Sequence, residues 1–178
     1  MTRSPAAFAP TLQLENADAG WDVPELLEGT PSLITSDPSL AIPGADMVLL
    51  AGLPVHLNRA LLLSILPHLP ADGRLVLVGS VCCYGHFSAL LSSLLPPGAN
   101  ASPFGTALIP FCCSTPAYGR RGRVIGAKRL LRVATPGGRD PHGVKKILGP
   151  VLRTRLEDVS FLASTLWPNN ASLHPPIL

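Results

Sequence analysis

Two short apolar runs constrain this chain more than any other feature in it. Met47-Val-Leu-Leu-Ala51 rises straight out of Gly44 and Asp46, and Leu75-Val-Leu-Val78 follows the turn residues Ala71-Asp-Gly73. Both are short and lack polar alternation, the pattern of a strand covered on both faces, as in a parallel sheet. Between them Leu57, Ala60, Leu61, Ser64 and Ile65 recur at helical spacing, until Pro67 and Pro70 stop the helix. After the second run Gly79 is expected to close the strand. A second helix over about Phe87–Leu95 ends at Pro96-Pro97-Gly98. Strand, helix, strand, helix with short connections implies a parallel sheet with right-handed crossovers. A ligand on such a sheet sits at the carboxyl ends of the strands. Here those ends are Gly52-Leu-Pro-Val-His56 and Gly79-Ser-Val-Cys-Cys-Tyr-Gly85.

Beyond the second helix the pattern changes. Thr106 to Cys113, Arg123 to Gly126 and Leu130 to Thr135 are strand-like, with a turn region at Pro116 to Gly122. They predict a meander on the edge of the sheet, where Pro110 costs little. Val144 to Leu152 reads as a short amphipathic helix, and residues 159 to 167 as the start of an apolar one. Residues 1 to 33 are rich in Pro, Ala and Gly without a sustained period, and are expected to be irregular and poorly ordered at their start, with at most a loose strand or a helical turn over Glu15 to Glu28.

With 178 residues, 47% hydrophobic and only 14% charged, the chain can bury a real core. Its formal charge of +3 is small, and aromatics make up 5%. That excludes the stacking platforms of a single-strand nucleic-acid binder. The cysteines stand as two adjacent pairs, Cys82-Cys83 and Cys112-Cys113. Adjacent cysteines on a strand point to opposite faces, and zinc sites want two to four residues between paired ligands. Buried thiols in a reducing compartment are therefore expected, with no metal. The third candidate set, these cysteines with His86, is a cluster that chance supplies easily. Leu75 to Leu95 carries no charge, yet its glycines, serines, Tyr84 and His86 divide it into a strand and a helix, not a membrane span. No long apolar leader stands at the N-terminus. A soluble, cytoplasmic protein is the expectation.

Near the end of the chain, Asn170 and His174 stand four residues apart after the apolar run Phe161, Leu162, Leu166, Trp167. On a helix that spacing places both on one face. A neutral imidazole suits proton transfer near pH 7, and the amide could orient it or hold a carboxylate. A histidine followed by two prolines also suits a surface residue closing a helix.

The run Pro168-x-Asn170-x-x-x-His174-Pro175 resembles the motif that opens the second domain of the octopine/nopaline (opine) dehydrogenase family. Thr35-Ser-Asp-Pro to Leu50, Leu53-Pro-Val-His56, and Thr106 to Thr135 with Leu108-Ile-Pro-Phe, Arg123-Val-x-Gly126 and Lys128-Arg129 are similar to further segments of that family. The likeness covers about residues 34 to 176. It implies an α/β fold: residues 34–157 as a partial Rossmann-like domain with an added antiparallel meander, and 158–178 as the first helix of an all-α catalytic domain. It implies reductive condensation of an α-keto acid such as pyruvate with an amino acid, using NAD or NADP. It makes His174 the acid/base, Asn170 a substrate-carboxylate ligand, and Gly52, Pro54 and His56 neighbours of the cofactor. The family's G-x-G-x-x-G turn, which seats the pyrophosphate on a helix N-terminus, is not in this sequence. A middle portion of such an enzyme, inactive alone, is expected. The alternative is a non-catalytic module whose open sheet edge a second copy covers.

Overall fold

The computed structural model describes residues 1–178 except 3, 52–53, 82–83, 136–142 and 166–178. It contains two sheets. The larger has five strands: β3 (Met47–Leu50), β4 (Val76–Val81), β5 (Ala101–Thr106), β8 (Leu130–Ala134) and β9 (Arg155–Val159), in that order. β3, β4 and β5 are parallel, β8 joins β5 antiparallel, and β9 runs parallel to β8. The smaller sheet is ordered β2 (Leu26–Gly29), β1 (Leu12–Asn16), β7 (Arg121–Ala127), β6 (Phe111–Ala117).

Helices sandwich the larger sheet. On one face α2 (Asn58–Ile65) and α3 (Tyr84–Leu94) supply Leu62, Ile65, Phe87 and Leu91, which close on Leu50, Val76 and Val78. On the other face α4 (Val144–Leu152) supplies Val144, Leu148 and Leu152, one face of the helix, against Leu77, Phe104, Leu131 and Val133. Each such side chain contributes roughly 1.5–3 kcal/mol by leaving water, so both cores are substantial. A four-residue helix, α1 (Pro38–Ala41), is capped by the Asp37 carboxylate, which accepts the Ser39 N–H at 2.8 Å. α5 (Phe161–Thr165) packs on α3 and β8.

The parallel α/β architecture and the two βα units stand as the sequence indicates, and several details differ. β4 runs on through Gly79 to Val81, because the Phe104 ring of β5 lies over Gly79 and the missing side chain leaves room for it. β3 lies at the sheet edge, so Leu49 is 38% exposed where burial on both faces was expected. The meander divides. Its β6–β7 hairpin pairs with the N-terminal hairpin, and β8 extends the main sheet. β5 carries Pro103 and Gly105, which hide it from a propensity reading.

Residues 1–33 are not irregular throughout. β1 and β2 pair antiparallel, and β1 pairs with β7, whose Arg121 and Arg123 lie 3.3 and 3.4 Å from Glu15. A partner more than a hundred residues away supplies the order that local sequence does not. The boundary expected between 157 and 158 falls inside β9, which parallel pairing with β8 ties to the α/β domain. Cys112 and Cys113 are exposed, contrary to the expected burial, since β6 is an outer strand with a register shift between them. Burial raises the Cys113 thiol pKa, and Cys112 beside it adds to the rise.

Candidate active site

The carboxyl edge of β3, β4 and β5 is where this fold can hold a ligand. Pairing sets Leu50, Ser80, Gly105, Ala134 and Val159 in one row across all five strands. β8 and β9 run opposite to the first three strands, so Leu130 and Arg155 begin beyond that edge and the chain returns to it at Ala134 and Val159. α5 therefore starts level with the carboxyl ends of the parallel strands.

After β3, Pro54 is followed by a single tight helical turn, Val55–Leu57, closed by the Leu57 N–H on the Pro54 carbonyl at 3.0 Å. Pro54 and His56 are exposed on this loop, and Asn58 beneath it is buried. After β4, α3 brings a buried Gly85 and an exposed His86. After β5, the buried Thr106 hydroxyl donates to the Leu108 carbonyl at 2.8 Å, fixing the bend that leaves the strand. The Ala107 N–H then reaches the Arg132 carbonyl at 2.9 Å.

From residue 75 to residue 139 the chain has no Asp or Glu. The two acids of β9 are paired: Glu157 lies 3.4 Å from Arg132 and Asp158 lies 2.6 Å from Lys145. Arg74, Arg121, Arg123 and Arg129 are ion-paired as well, Arg129 with Asp18 at 3.1 Å. Among the described residues no three His, Cys, Asp or Glu side chains group as metal ligands would. None of their helices is long and apolar enough to cross a membrane.

The solved structures that resemble this one share its whole layout. Octopine dehydrogenase bound to NADH and L-arginine superposes with a TM-score of 0.73 over 92% of this chain and 41% of its own, at 22% identity. The fold is that of the opine dehydrogenases. Octopine dehydrogenase with NADH and pyruvate matches at a TM-score of 0.67. Yersinopine dehydrogenase with NADP+ matches at 0.72 over 96% of this chain and 41% of its own, at 18% identity. In sequence, protein y4xO of Sinorhizobium fredii is 31% identical over 156 residues, 85% of this chain and 41% of that protein. The chain thus spans about two fifths of the length of these relatives. No protein-family profile matches it.

Of the residues singled out in the sequence, Pro54 and His56 lie together on the loop after β3, at the carboxyl edge. Gly52, Asn170 and His174 lie outside the described residues. Thr106 ends a strand that the sequence hides, and Gly85 falls inside α3, whose start lies before the expected Phe87.

Proposed function

We propose that this chain is the central portion of an NAD(P)-dependent oxidoreductase of opine dehydrogenase type, joining an α-keto acid to an amino acid. The observation that carries this reading is the row from Leu50 to Val159, which opens α5 at the ligand-binding edge of an opine dehydrogenase fold. The resemblance of the tail then assigns the chemistry. His174 holds and returns the proton on the keto or carbinolamine oxygen, and Asn170, four residues before it, holds a substrate carboxylate.

The dinucleotide fits the edge in charge, since residues 75–139 carry no carboxylate that would repel it. Gly52, Pro54 and His56 would lie beside it, and when bound it supplies the hydride. What the sequence lacks is a glycine-rich pyrophosphate turn, so the isolated chain is a weak binder and a poor catalyst in this reading. A cytoplasmic location accords with the reaction's soluble reactants.

The test is NADH oxidation by the purified chain with pyruvate and a panel of amino acids, against His174→Gln. Oxidation at background for both is expected. Fast, His174-dependent turnover by the chain alone would overturn the view that it is incomplete.

One observation favours a second reading, a non-catalytic module. Among the described residues β3 pairs on one side only, and Leu49 on it is 38% exposed, as is Val55 on the turn that follows at 39%. A second copy covering that edge would make the chain a dimer. Light scattering on the eluted protein distinguishes this from a monomer.

A further inference from the structure

The smaller sheet has a face that the dehydrogenase reading does not use. Pairing places Leu12 opposite Gly29 and Leu14 opposite Leu27, so these four share one face of β1 and β2, and Gly122 of β7 lies beside Leu14. At one end of the sheet Val124 is fully buried. At the other end the face opens into a groove of about 610 Å³, with Gly29 and Gly122 on its floor. Its wall is the pair Phe8 and Tyr118, whose rings meet edge to face at 5.4 Å. That wall is held by backbone: the Ala9 N–H donates to the Gly119 carbonyl at 2.8 Å, and a side chain at Gly119 would collide with Ala7.

The lining includes two arginines. Arg120 lines the groove and has no ion pair among the described residues, while Arg121 is drawn to Glu15. The lone lining carboxylate, Glu28, accepts the Gln13 amide at 2.7 Å. An apolar trough of a volume usual for small-ligand sites, with an unpaired guanidinium at its mouth, is complementary to one kind of molecule.

We propose that this groove binds a small amphipathic carboxylate, its hydrocarbon body along Leu12, Leu14 and Leu27 and its head on Arg120. The site is separate from the carboxyl edge of the main sheet and stands whether or not that edge binds a dinucleotide.

Gly29→Leu is the filling variant. A side chain there meets nothing within 4 Å and projects from the same face as Leu12, on an outer strand, so the fold tolerates it. Calorimetry of the full chain with octanoate and with octanol separates head from body. Octanoate is expected to bind about threefold more tightly than octanol, the scale of one exposed ionic contact. Arg120→Gln should bring octanoate down to the octanol level and leave octanol unchanged. Gly29→Leu should abolish both while its thermal melt stays cooperative. Binding that survives Gly29→Leu, or no binding of octanoate at millimolar concentration, overturns the proposal. So does a wild-type dimer that Gly29→Leu converts to monomer, since a second copy would then be the occupant.

Discussion

The Arg129 guanidinium lies 3.1 Å from the Asp18 carboxylate, joining the loop between β1 and β2 to the turn that leads into β8. Asp18 also accepts the Ala127 N–H at 2.8 Å and the Gly20 N–H at 3.0 Å. A side chain at Gly20 would displace the Arg129 guanidinium. This junction fastens the small sheet to the large one.

The Ala127 and Gly20 hydrogen bonds, helped by Arg129, hold the Asp18 pKa below its ordinary value. A depressed carboxylate contributes stability that is present above its unfolded pKa of about 3.9 and is lost as pH falls through the folded value. The melting temperature of the wild type should therefore drop more steeply below about pH 4 than that of Asp18→Asn. Parallel melting curves in the two proteins across that range would remove Asp18 as the junction.

Gly79 sits under the Phe104 ring. Gly79→Ala must displace that ring or the strand, and overpacking of this sort costs about 1–3 kcal/mol. Urea denaturation should show the loss, and adding Phe104→Leu should recover part of it. A neutral Gly79→Ala would mean that β4 and β5 do not approach as described.

Leu62 and Leu63 are neighbours on α2 with opposite roles. Leu62 is fully buried against the sheet and Leu63 is 46% exposed. Leu62→Ala should cost about 2–5 kcal/mol, whereas Leu63→Ala should stay within about 0.5 kcal/mol. Equal effects would place α2 in the wrong rotation.

How much of this was legible depends on where each element finds its partners. β4 announced itself, because Val76, Leu77 and Val78 are covered on both faces and the apolar run is unbroken. α4 was readable from Val144, Leu148 and Leu152 alone, one stripe four residues apart. β5 was not, since Pro103 and Gly105 weaken any strand propensity, and the room beside Gly79 that receives Phe104 is a tertiary fact. β1 and β2 were legible only as a loose strand or a helical turn over Glu15 to Glu28, for a related reason: Glu15 finds Arg121 and Arg123 only when the chain has folded back. Pro54 and His56 could be placed on the loop after β3, because a short apolar run broken by Gly and Pro marks the end of a buried strand.

Light scattering bears on the open edge of β3. In the dehydrogenase reading the purified chain has no fixed dimer, and Leu49→Lys on that edge should leave its mass unchanged while raising its solubility. A dimer that Leu49→Lys dissociates would favour the module instead.

The central claim, that the carboxyl edge of β3, β4 and β5 receives a nicotinamide dinucleotide, is tested most directly by titrating NADH and NADPH into isotope-labelled chain and following its amide resonances. The expected result is weak, saturable shifts confined to Pro54–Asn58, Ser80–His86 and Gly105–Leu108, with a Kd of about a millimolar, near −4 kcal/mol. Saturable shifts at the small sheet alone, or none with either nucleotide, would contradict it.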